Sequence, residues 1–162
     1  EMEDHGVRYA TRREHTRDHV LAMQALWSDE VASYDGGFVS FPDTWSWPKP
    51  DVKVPVLIGG GAGPKMFAHL AEYADGWIPI GGAGLAESIP RFKEAVAEAG
   101  RDPEAMRIVP FGSHPSPAKL EHFAQIGVTE CVFRLPSAPA ARVMPVLEEQ
   151  AALIADWVTP AT

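Results

Sequence analysis

At 162 residues the chain is long enough for one domain with a core of its own. A formal net charge of -8 argues against nucleic acid or an anionic membrane as partner, and no apolar run approaches the ~20 residues of a membrane span. No secretory signal is visible, and a single Cys131 leaves no internal disulfide and fits a reducing cytoplasm. Within Cys131-Val132-Phe133 that cysteine reads as a small core residue and not as a nucleophile. No cluster of His and Cys has metal-ligand spacing.

The chain opens on Glu1 without a leading strand, as an excerpt of something longer would. Thr11-Arg12-Arg13-Glu14 has the form of a capping box, and Val20, Met23 and Trp27 follow at helical spacing, which predicts a helix from about Thr11 to Trp27. Arg12, Arg13 and Arg17 either bind an anion or form a solvated face, the commoner role of such a run. A turn and a short extended piece are expected over Tyr34-Asp35-Gly36-Gly37-Phe38-Val39-Ser40-Phe41. From Pro42 to Lys53 runs a connection carrying Trp45 and Trp47. Either it is a lid over a site, or its indoles pin it to the body.

The centre of the chain is the stretch from Val54 to Pro64. Val56, Leu57 and Ile58 make an apolar strand, Gly59, Gly60, Gly61 and Gly63 a turn, and Phe67, Leu70, Ala71 and Ala74 one face of the next helix. Glycines let a ligand approach the backbone, and amides at a helix start favour anions. Neither named phosphate motif fits: Gly63 is followed by Pro64 and not by Lys-Ser/Thr, and Met66 stands where a dinucleotide fingerprint needs its third glycine. Spacing alone leaves open a phosphate cradle and a ligand-free βα turn.

Three further βα units follow. Asp75 to Ile80 is a strand, Gly81-Gly82-Ala83-Gly84 a loop, and Leu85, Ile89, Phe92 and Val96 a helix stopped by Gly100 and Pro103. Arg107 to Phe111 is a third strand; Ser116-Pro117 caps a helix bearing Leu120 and Phe123 that ends at Gly127. Cys131 to Leu135 is the fourth strand, and a last helix is expected from about Ala140 to Trp157. Arg134, at the C-terminal end of its strand, contacts an anionic substrate or snorkels to solvent. Four βα units predict a parallel sheet covered by helices, half of an eightfold barrel.

Four stretches, in this order, resemble the luciferase-like monooxygenases and in particular the branch that uses coenzyme F420. They are Tyr34 to Phe41, Pro48-Lys49-Pro50 leading to Val56-Leu57-Ile58-Gly59-Gly60, Ala71-Glu72-Tyr73-Ala74-Asp75-Gly76-Trp77, and Ala97-Glu98-Ala99-Gly100-Arg101-Asp102-Pro103. The resemblance implies an α/β fold in which residues 1–162 form one partial (β/α)8 TIM barrel, the C-terminal half, with the first four strands missing. It implies that Ile58, Gly59, Gly60 and Gly61 hold the phosphate end of F420 or FMN, and that Gly76, Trp77 and Ile78 lie beside the cofactor. The activity implied is a flavin- or F420-dependent oxidoreductase or monooxygenase passing hydride between cofactor and a small organic substrate. Its catalytic residues belong to the missing half, and none is carried over here. His69, His114 and His122 are expected to be exposed and not to act as general bases.

The alternative is a non-catalytic half-barrel remnant acting as a dimerisation or partner-binding module. Either way an open half-barrel would leave the inner faces of Val56, Ile58, Trp77, Val109 and Val132 uncovered, so a homodimer or complementation by an N-terminal half-barrel is expected.

Overall fold

The structure, a computed structural model, describes residues 2–155 and 157. Helix α1 (Arg12–Ser28) buries Asp18, Val20 and Ala22. Thr11 does not cap it: its hydroxyl donates to Arg8 O instead, at 3.3 Å, so the capping-box pattern is not used. The other end is closed by a cation. Lys49 Nζ donates to Leu26 O at 2.7 Å and to Asp29 O at 2.5 Å, meeting carbonyls that the last turn leaves without partners.

The stretch read as one extended piece is a hairpin, β1 (Ala32–Asp35) antiparallel to β2 (Ser40–Thr44), with Tyr34 opposite Phe41. Its turn is tied to α1. Asp18 accepts from Tyr34 Oη at 2.8 Å and from Phe38 N at 2.6 Å, and these bonds, the backbone one foremost, hold its carboxyl below the usual range. A Cβ on Gly36 would overlap that carboxylate and the Tyr34 ring, so a glycine is needed for this close approach.

The rest alternates strand and helix. Strands β3 (Leu57–Gly59), β4 (Gly76–Ile78) and β5 (Arg107–Ile108) form a parallel sheet in that order, and β6 (Phe111–Ser113) pairs in parallel with β7 (Val132–Phe133). The single strand expected over 107–111 is divided at Pro110, which has no N–H to give. Hydrogen bonding runs on across the break, from Val109 N to Trp77 O at 2.9 Å, Phe111 N to Pro79 O at 2.8 Å and Val132 N to Pro110 O at 3.0 Å. Helices α2 (Pro64–Tyr73), α3 (Leu85–Glu98), α4 (Pro117–Gln125) and α5 (Ala140–Ile154) follow the strands in turn, giving a mixed α/β architecture. The last helix stops at Ile154 and not at Trp157, and position 156 lies outside the described residues.

The core forms where α2 and α3 lie on the sheet. Trp77 packs edge-on to Phe67 at 5.5 Å and to Phe92 at 5.8 Å between ring centroids, with Leu70, Val96 and Ile108 filling around them. Such aromatic pairs contribute ~0.5–1.5 kcal/mol each beyond the area they bury. Arg101, just past Gly100 (φ 74°), donates to Leu70 O and Ala71 O at the end of α2. Asp75 accepts from Lys53 Nζ and from Val56 N, tying the start of β3 to the end of α2. Ser116 caps α4 as expected, accepting from Lys119 N at 3.3 Å.

The two sheet faces differ from the sequence expectation. Register places Ile58, Trp77 and Ile108 side by side against the helices, so Trp77 is 1% exposed; Val109, next in the chain to Ile108, is also buried, at 4%. Of the expected residues Val132 is uncovered, at 40% exposed, and the apolar side chains exposed beside it are those of its neighbour Phe111 (53%) and of Ile80 (82%), which bridges to Phe111. For Trp77 the difference is one of parity: side chains alternate along a strand, and Trp77 belongs to the opposite face from Ile80.

Candidate functional site: the glycine turn and its cationic cavity

Strand β3 ends in the turn at Gly59 to Gly63, and Trp77 fixes that turn from beneath. Its indole Nε1 donates to Gly60 O at 2.8 Å, while Gly60 N donates to Ile78 O at 3.2 Å. Both polar groups of Gly60 are therefore used by the protein. Gly59, Gly60 and Gly61 all line one concavity, as expected of a cradle, but the Gly60 N–H is taken by Ile78 O. The N–H groups without an acceptor among the described residues are those of Gly61, Ala62 and Gly63, one step further along. Pro64 opens α2 and lacks an N–H, and no side chain caps the helix.

Space separates the glycines in the same way. A Cβ on Gly60 would meet Met66 Cε at 2.8 Å, whereas on Gly61 or Gly63 it would meet nothing within 4 Å. Of these three residues Gly61 lines a concavity of about 410 Å³, and Ala62 and Gly63 stand just outside its lining. Residues Leu57 to Gly61 form one wall, Arg12, Arg13 and Thr16 of α1 a second, and Met66, His69 and Tyr73 of α2 a third. No carboxylate lines it among the described residues, in a chain of net charge -8.

The three arginines of α1 differ in how they are engaged. Arg17 is committed to Glu72, its Nε lying 2.8 and 2.9 Å from the two carboxylate oxygens, and this hydrogen bonding holds the Glu72 carboxyl below its ordinary range. Arg12 lies over the Tyr9 ring at 3.7 Å and donates to Tyr9 O at 2.6 Å, which orients it. Arg13 has no hydrogen-bond or ion-pair partner among the described residues. His69, expected to be exposed, is half-buried, with Nδ1 3.5 Å from Tyr73 Oη. Burial pushes the Tyr73 hydroxyl up. This lining was missed in the sequence, yet Met66, His69 and Tyr73 stand at i, i+3, i+7, a helix row beside that of Phe67, Leu70, Ala71 and Ala74, with Met66 and Tyr73 also packed into the core.

The other predicted site residues lie elsewhere or act indirectly. Gly76 is buried beneath the turn, where a Cβ would overlap Leu57 and the Arg107 carbonyl, so its glycine serves strand packing. Ile78 is half-buried and reaches the turn through its carbonyl. Arg134 is exposed beyond β7 and does not line the cavity; its carbonyl accepts from Gln150 Nε2 at 3.0 Å. His114 and His122 are exposed, and burial pushes the Cys131 thiol up, as suits a packing residue. No group of three potential metal ligands occurs among the described residues, and no helix among them is long and apolar enough to cross a membrane.

The loop from Pro42 is tethered by Lys49 and not by its indoles, since Trp45 and Trp47 are 72% and 59% exposed. Its return, from Lys49 to Val54, lines a separate hollow with Gln24 and Trp27 near the end of α1. That is the entry end of β3, whereas the glycine turn lies at its exit.

Comparison with known proteins places this geometry in context. The family model described as luciferase-like monooxygenase matches residues 1–122. An uncharacterized protein of Mycobacterium tuberculosis is 40% identical over 157 residues, 96% of this chain and 55% of its own length. The F420-dependent glucose-6-phosphate dehydrogenase of Tsukamurella paurometabola is 33% identical over 94 residues, 56% of this chain and 28% of its own. The chain spans about half the length of the curated relatives it matches at 40% identity. Among solved structures, an F420-dependent secondary alcohol dehydrogenase in complex with an F420-acetone adduct superposes with a TM-score of 0.69 at 18% identity, over 82% of this chain and 59% of that one. A riboflavin lyase with modified FMN and riboflavin gives 0.56 at 14% identity, over 77% and 35%. At these identities the superpositions show the fold alone.

Proposed function

The chain belongs to the luciferase-like monooxygenase family, whose members use F420 or FMN, and on that premise we propose that its glycine turn binds the phosphate end of such a cofactor. Residues 1–162 are then one partial-barrel domain, the C-terminal half of a (β/α)8 barrel, within a cytoplasmic oxidoreductase acting on a small organic substrate. The observation that carries this reading is Gly61, whose amide has no acceptor among the described residues, in the wall of an open cavity that no carboxylate lines among those residues, with the unpaired amides of Ala62 and Gly63 next along the chain. Preorganised N–H donors need no rearrangement to receive an anion, and nearby cations strengthen the attraction. When bound, the cofactor supplies hydride chemistry. This chain's part is to hold and orient it: Gly61 to Gly63 receive the phosphate, Trp77 fixes the turn through Gly60, and Arg12, Arg13 and His69 furnish the surrounding field.

The uncovered row of Ile80, Phe111 and Val132 supports the partial-barrel reading, since neighbouring apolar side chains open to water call for a covering layer. We assign that layer to the N-terminal half of the barrel, which also brings the catalytic residues. A binding titration tests the cofactor reading. FMN should bind ~10-fold or more tightly than riboflavin, which lacks only the phosphate, as followed by flavin fluorescence. Equal affinities would remove the phosphate site.

A further inference from the structure

The cavity beside the glycine turn holds more positive charge than one phosphate requires. Arg12 and Arg13 stand on the wall facing the turn, Arg12 oriented by the Tyr9 ring and Arg13 without a partner among the described residues. Arg17, one turn further along α1, is neutralised by Glu72, so the surplus is confined to the cavity. In a chain of net charge -8, a cavity lined by two arginines and, among the described residues, by no carboxylate presents a local field opposite in sign to its surroundings.

The two cofactor types differ in what lies beyond the phosphate. FMN ends at a phosphomonoester. F420 continues from a phosphodiester into a tail of glutamyl residues with several carboxylates. We propose that Arg12 and Arg13 bind this anionic tail and thereby set the preference of the site for F420 over FMN. The inference rests on the phosphate reading above and adds to it a division of labour: amides of the turn for the phosphate both cofactors share, guanidinium groups for the carboxylates only one of them carries. Arginine suits the second task because its planar fork pairs with carboxylates and stays charged.

The test is equilibrium binding, read by cofactor fluorescence, on the complete protein and its Arg13→Gln and Arg12→Gln/Arg13→Gln variants, with F420, FMN and riboflavin as ligands. Glutamine keeps most of each stem, and circular dichroism checks that the variants fold. The double variant should lose ~3- to 30-fold in F420 affinity, the range for two partly exposed charge pairs, and distinctly less in FMN affinity, which loses only the field around its phosphate. Added salt should weaken F420 binding in the parent more than in the double variant. Equal losses for F420 and FMN, or no loss for F420, would overturn tail recognition while leaving the phosphate site standing. Failure of the unaltered protein to distinguish FMN from riboflavin and to bind F420 would overturn the cofactor reading and this inference together.

Discussion

Replacing Trp77 by phenylalanine separates the support of the glycine turn from the turn itself. The indole is 1% exposed, packs between Phe67 and Phe92, and donates to Gly60 O at 2.8 Å. Phenylalanine keeps an aromatic ring in the core but removes the donor and part of the volume. The lost hydrogen bond is worth about 1 kcal/mol and the partly filled void about 1–2 kcal/mol, so unfolding should become ~2–3 kcal/mol easier. For a chain of this size that corresponds to a fall of roughly 4–12 °C in Tm. A second effect distinguishes this site from ordinary core damage. With Gly60 O released, the turn carrying Gly61 to Gly63 loses its fixed orientation, and affinity for FMN should drop although Trp77 does not line the cavity. Phe67→Leu is the control, since Phe67 packs in the same cluster without bonding the turn; it should lower Tm and leave FMN affinity nearly unchanged. Differential scanning fluorimetry and flavin fluorescence give the two readouts. If Trp77→Phe and Phe67→Leu alter affinity in the same proportion to stability, the indole is only a core residue and the pinning argument fails.

Gly36→Ala should destabilise the hairpin, because the added Cβ overlaps the Asp18 carboxylate and the Tyr34 ring; faster proteolysis within residues 32–44 is the expected sign, and parental nicking rates would contradict it. Acid should unfold the protein through carboxylates that are paired only in the native state. The Arg107 hydrogen bond holds Glu130 below its ordinary range, Arg17 does the same for Glu72, and although burial opposes it, Lys53 and Val56 N bring Asp75 below its own. The unfolded chain binds protons at these groups first, near pH ~4–4.5, so stability is complete above that range and is lost as pH falls through the depressed native values. A Tm that is flat near neutrality and declines on acidification is expected, with a smaller decline in Asp75→Asn; a rising Tm would refute the assignment. Without an N-terminal half, this chain should self-associate at low micromolar concentration through Ile80, Phe111 and Val132, and Phe111→Glu should reduce that association in sedimentation velocity. A monomeric parent that binds no apolar dye would remove the case for a covering layer.

Much of the fold was legible because strand–helix alternation and glycine stops are local signals. Gly100 ends α3 and Ser116 begins α4 where spacing placed them. What the sequence hid was mostly tertiary. The hairpin at Gly36 depends on Asp18 from another element, and the same carboxylate explains a glycine that reads only as a turn residue. Sheet parity was lost because short apolar strands, with both faces hydrophobic, carry no alternation to read. At the site, the glycine turn was found by its composition, but which glycines present free amides depends on Trp77 and Ile78, from the neighbouring strand. For Arg12 and Arg13 the sequence left anion binding and a solvated face both open, because nothing local to α1 reveals that its first turn lies beside the glycine turn.

Gly61 provides the most direct measurement of the central claim. A Cβ there meets no protein atom within 4 Å, so Gly61→Val fills the cavity with little cost to the fold, whereas Gly60 would press on Met66. Fluorescence titration of the complete protein with FMN and with riboflavin, before and after the substitution, isolates the phosphate. The account predicts that FMN affinity falls ~10- to 100-fold, about 1.4–2.8 kcal/mol, that riboflavin affinity changes little, and that Tm is unaltered. Equal weakening of both ligands, or a lowered Tm with no selective loss of FMN, would show that these glycines serve the turn and not a bound phosphate.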